Sequence, residues 1–114
     1  MIIERETTFI FASGDSIKIY EMLDYISIVF NDSKYIHHGL HLRGKALREI
    51  VSFLYDFLKE YSKTNHPEWE QKEIGFPKPY KHPLDEPWLG IISLTKNEAT
   101  ELYKELSFLA KKYL

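Results

Sequence analysis

The chain contains no cysteine. Disulfides, thiolate metal sites and a cysteine nucleophile are thereby excluded, and a reducing compartment suits it. Glycine is scarce, five in 114 residues, and no Gly-rich phosphate loop is built from it. The Gly-x-Ser-x-Gly elbow, the HExxH pair and the EF-hand loop are also missing. No apolar run approaches the roughly 20 residues that cross a bilayer. Acidic residues enter as early as Glu4 and Glu6, before a signal-peptide core can form. The expected setting is cytoplasmic and away from membranes, and nothing in the sequence asks for a cofactor or a metal.

An excess of one charge is lacking too. The net charge of −2 is not that of a general nucleic-acid binder. The charges are unevenly spread, with a weakly basic middle, 34–63, between acidic stretches at 1–33 and 64–88.

What is present is a supply of core. Hydrophobic residues make up 44% of the chain, and seven Phe, eight Tyr and two Trp are enough to bury one core without staples. The length matches a single domain, 1–114. Residues 6–12 read as a strand, and Ser13-Gly14-Asp15 as a turn. Residues 16–30 read as strand, bend, strand, although Ile19, Leu23 and Ile26 also fit helical spacing. Residues 35–43 alternate, with Ile36, His38, Leu40 and Leu42 on one face and Tyr35, His37, His41 and Arg43 on the other.

Residues 45–63 carry a broad apolar stripe through Leu47, Ile50, Leu54, Leu58 and Tyr61, wide enough to touch both a sheet and a second helix or a partner chain. Residues 64–87 hold all five prolines and read as an irregular, Pro-rich loop. Residues 88–94 read as a buried strand. Thr95 with Glu98 forms a capping box that opens a helix with Ala99, Leu102, Leu106, Leu109 and Tyr113 on its apolar side. Phe108 falls on the charged side of that helix, as an ordinary exposed residue or an oligomer contact. The segments 41–61 and 93–113 align without gaps, with Leu42, Glu49, Leu54, Lys59 and Tyr61 matching Leu94, Glu101, Leu106, Lys111 and Tyr113. Duplication or shared helix periodicity both produce such an echo. The expected fold is α+β, an antiparallel sheet of four to five strands with both helices packed on one face.

Two groups of residues are candidates for function. The loop offers Trp69 among Glu68, Glu70 and Glu73, followed by Tyr80. Exposed Trp and Tyr anchor protein interfaces, and flanking carboxylates complement a basic partner. The second group, Tyr35, His37, His41 and Arg43, forms a polar-aromatic strand face suited to an anion or a single nucleic-acid strand. His37 and His41 would lie about 13 Å apart along a strand. That is too far to share one Zn²⁺ at Zn–N near 2 Å without ligands from elsewhere, such as His66, His82 or Glu70.

Three functions compete. The first is a non-catalytic protein-binding inhibitor: an immunity protein that neutralises a bacterial toxin with a basic domain, or a phage-encoded inhibitor. The second is a single-stranded nucleic-acid-binding module, whose sign would be a continuous basic sheet face. The third is a small hydrolase or nuclease using His37 or His41 with Arg43. A homodimer is compatible with each.

Overall fold

The computed structural model describes residues 3–31, 40–42, 44–77 and 88–113. Among these described residues six strands and two helices follow in the order β1 (Arg5–Ile10), β2 (Ser16–Glu21), β3 (Ile26–Asn31), β4 (Leu40–Leu42), α1 (Gly44–Tyr61), β5 (Gln71–Pro77), β6 (Trp88–Thr95) and α2 (Lys96–Lys112). The fold is α+β. No helix of the described residues is long and apolar enough to cross a membrane.

Local chemistry accounts for the first elements. In β2 and β3 every second side chain is buried, so Ile17, Ile19, Ile26, Ile28 and Phe30 line one face. The antiparallel register sets Ile17 opposite Phe30 and Ile19 opposite Ile28. Strand, bend, strand is therefore the outcome for residues 16–30, and Leu23 lies exposed in the bend. The turn after β1 closes through Phe11 N–H to the Asp15 carbonyl at 2.9 Å, and Gly14 takes the positive φ, 94°, that this turn requires.

Two expectations are corrected. The strands do not form one sheet. They form two antiparallel sheets, ordered β1-β2-β3-β4, with β4 only three residues long, and β5-β6. Strand β6 does not pair with β3 but comes close to it: a Cβ on Gly90 would stand 2.6 Å from the Phe30 Cβ. Its backbone at Ser93 is taken instead by turn side chains. Ser93 N–H donates to the Asp15 carboxylate at 2.7 Å, and the Ser13 hydroxyl donates to the Ser93 carbonyl at 2.7 Å. The second correction concerns residues 64–87, which are not irregular throughout, because 71–77 is strand β5. Ile74 and Phe76 alternate into the core there, and Pro77 sits at the register shift that ends the strand.

The two helices run antiparallel. The N–H of Gly44, at the start of α1, donates to the Tyr113 carbonyl beyond the end of α2, and Tyr55 packs on Tyr103. Their buried residues, among them Leu47, Ile50, Leu54, Leu102, Leu106 and Leu109, join the inner sheet residues in one core. Phe76 sits where the layers meet, 5.1 Å from the Phe30 ring and 5.8 Å from the Phe53 ring. The Thr95 capping box forms as expected, and the second oxygen of Glu98 accepts the Ala12 N–H at 2.9 Å.

The echo between the two halves has structural content. Each copy is a strand followed by a helix. Leu42 and Leu94, Leu54 and Leu106, and Tyr61 and Tyr113 are all buried. Both tyrosine hydroxyls donate to a backbone carbonyl outside their helix, Tyr61 to Glu70 nearby in the chain and Tyr113 to Met22 across the fold.

Candidate functional site

The corner that follows α1 is assembled from short-range contacts. Tyr61, the last helical residue, is buried, and its hydroxyl donates to the Glu70 carbonyl at 3.0 Å. Burial, reinforced by the Glu70 carboxylate, raises the Tyr61 phenol above its ordinary pKa, so it stays a donor. The His66 ring packs edge-on against the Tyr61 ring at 4.5 Å. Its Nδ1 bonds to the Glu70 carboxylate, and its Nε2 lies 2.6 Å from the Thr64 hydroxyl. The Lys72 ammonium stands 4.8 Å above the Tyr61 ring centre, a cation–π contact.

Within this brace the Glu70 N–H donates to the Pro67 carbonyl at 3.0 Å, closing a four-residue turn. Glu68 and Trp69 occupy its two central positions. Trp69 is 78% exposed, although the turn that carries it is closed between Pro67 and Glu70. Pro67 adds a fixed φ just before the tip. The result is a large apolar-and-polar side chain held outward on a rigid support.

The predicted carboxylates divide by role. Glu68 is exposed at the tip, and Glu73 is exposed on β5, no more than about 14 Å along the chain from Trp69. The Glu70 carboxylate is turned onto His66 and serves the brace, with about a third of its side chain still accessible. Tyr80 lies outside the described residues, as do Tyr35, His37 and Arg43.

His41 belongs to β4, and the register places it in one cross-strand row with Ser27, Tyr20 and Glu6. The neighbouring row is Thr8, Lys18 and Val29. Lys18 is the cation on this described face, and Glu6 lies 4.0 Å from it. The described part of the sheet face is therefore mixed in charge and not continuously basic. Among the described residues no group of three or more His, Asp and Glu side chains converges as a metal site would require.

Sequence reasoning passed over Tyr61 and His66 as supports. Tyr61 read only as one member of an apolar stripe, and His66 only as a spare ligand. The spacing of His66 and Glu70, four residues apart across a proline, was the signal that could have paired them.

Comparison of this chain with family models, with curated proteins and with solved structures gives no match, so the reading of the site rests on its geometry.

Proposed function

We propose that this protein is a non-catalytic binding protein that engages a basic surface of another protein through the turn at Trp69. One observation carries the reading: an indole 78% exposed at the tip of a turn whose flanks are fixed by Tyr61, His66 and Glu70. An anchor already held in place loses less entropy on binding than one on a loose loop. Trp is also among the residues that most often dominate interface energetics. Glu68 and Glu73 supply the negative rim that steers a basic partner. Inhibition of that partner follows if the occupied surface is its working site, as in an immunity protein neutralising a basic toxin domain. Such a role needs a complementary surface and no reactive group.

A hydrolytic reading has one feature in its favour: Thr64, His66 and Glu70 line up hydroxyl, imidazole and carboxylate. The three lie within one short loop, and Thr64 is exposed to water. The alignment serves the turn better than it serves a substrate.

The test is a binding measurement on a partner recovered from the source cell. Trp69→Ala should weaken the complex by about 2 kcal/mol or more, and Glu68→Gln should act mainly on the association rate. Unchanged affinity in Trp69→Ala would remove the turn as the contact.

A further inference from the structure

The outer seam between α1 and α2 carries a second surface of the opposite charge. Val51, Tyr103, Phe108 and Ala110 form the apolar floor of an open groove of about 600 Å³. Arg48 and Lys111 stand beside it, with Lys104, whose ammonium also reaches the Glu101 carboxylate at 3.4 Å, and no carboxylate lines it. Phe108 is 56% exposed, and Tyr55, whose ring meets that of Tyr103 at a 42° tilt, is 52% exposed. The helices have already met their packing needs. Their buried stripes face the sheet and each other; Tyr103 packs against the edge of the core, while Phe108 and Tyr55 stay exposed beyond it. From Val51, the nearer lining residue on α1, to Tyr61 the helix axis advances roughly 15 Å, which separates this groove from the Trp69 turn.

We propose that this groove docks an amphipathic helix of a partner protein, with its apolar side on Tyr103 and Phe108 and acidic residues flanking that side. The shape argues for a helix. A seam between two antiparallel helices is a groove into which the ridge of a third helix fits, and an open trough does not enclose a small molecule. The charge argues for acidity. Three cations surround an apolar floor, and carboxylates at helical spacing would reach them from either side of the incoming helix. The same cations argue against a second copy of this chain. A two-fold pairing of the seam would set Arg48, Lys104 and Lys111 against their own copies.

The test uses a synthetic amphipathic helix of about 18 residues, with Leu on one side and Glu on its flanks. A second peptide replaces every Glu by Lys. Binding to the full chain is followed by fluorescence anisotropy, and folding of each variant by circular dichroism. The acidic peptide should bind at least about tenfold more tightly than the basic one. Its affinity should fall as salt rises. Phe108→Ala should cost about tenfold, and the double charge reversal Lys104→Glu, Lys111→Glu should invert the peptide preference. Trp69→Ala should leave peptide binding unchanged, which separates this groove from the turn. Equal binding of the two peptides, or no inversion in the charge-reversed variant, would overturn the proposal. So would self-association through the seam, or capture of phosphatidylglycerol vesicles or an oligonucleotide through the same three cations in place of the peptide.

Discussion

The carboxylate of Asp15 accepts a hydrogen bond from the backbone N–H of Ser93 at 2.7 Å, across 78 positions of sequence. Asp15 is 5% exposed, and with Ser13 it ties the β1–β2 turn to β6. Removing the acceptor leaves a buried N–H to find another partner. Asp15→Ala should therefore destabilise the fold by about 1–3 kcal/mol in urea denaturation, with faster hydrogen exchange at the Ser93 amide. Asp15→Asn keeps an acceptor in place and should cost less.

The far end of α2 makes stability sensitive to alkali. Lys112 bonds to the buried carboxylate of Glu21 at 3.0 Å, and that bond raises the lysine above its ordinary pKa of 10.5. Burial raises the Tyr113 phenol above 10.0, and its hydroxyl donates to the Met22 carbonyl at 2.8 Å. The Tyr61 phenol is shifted in the same direction. All three groups hold their protons more tightly folded than unfolded. Their contribution is complete below the unfolded pKa values near 10 and is lost as pH rises through the folded ones. Thermal unfolding should show little change from these groups between about pH 7 and pH 9, then a falling Tm above about pH 10. Lys112→Met should flatten part of that fall. Arg5 also reaches Glu21, at 3.1 Å, so the double change Arg5→Ala, Lys112→Ala should cost more than the sum of the two singles.

How much of this was legible in the sequence differs by element. Alternation in Ile17, Ile19, Ile26, Ile28 and Phe30, the stripe from Leu47 to Tyr61 and the Thr95–Glu98 box are local patterns, and each gave its element. Strand β5 was hidden because prolines on its flank resemble loop chemistry, while its two inward residues, Ile74 and Phe76, are too few to show a period. The split into two sheets was beyond reach. It depends on Asp15 and Ser13 meeting Ser93, and such long-range pairing leaves no local mark. At the candidate site, the prominence of Trp69 and Glu68 was readable from residue type. The brace beneath them was not, because it needs Tyr61, His66 and Glu70 to fold onto one another.

Gly90 should tolerate no side chain. A Cβ there would lie 2.5 Å from the Phe30 Cγ and 2.6 Å from its Cβ, and neither atom is the free end of a flexible chain. Gly90→Ala should lower stability by about 1–3 kcal/mol through overpacking at the β3–β6 contact. Differential scanning calorimetry checks it, and the companion change Phe30→Leu should not recover the loss, because leucine keeps the Cβ and Cγ that the new methyl meets.

The brace should matter for binding more than for folding. His66→Ala removes the contacts to Thr64 and Glu70 and the edge-on packing on the Tyr61 ring, all of them outside the main buried cluster. Partner affinity should drop by about 1 kcal/mol through lost ordering of the turn, with a Tm close to wild type. The dissociation rate, read by surface plasmon resonance, should carry most of that change.

The most direct measurement places a photo-cross-linking amino acid at position 69 of the full chain in its native cell, with a control at exposed Lys59. Irradiation should join position 69, and not position 59, to one protein whose cross-linked surface is rich in Lys and Arg. If position 69 yields no specific adduct, or marks the same proteins as position 59, the Trp69 turn is not a binding surface.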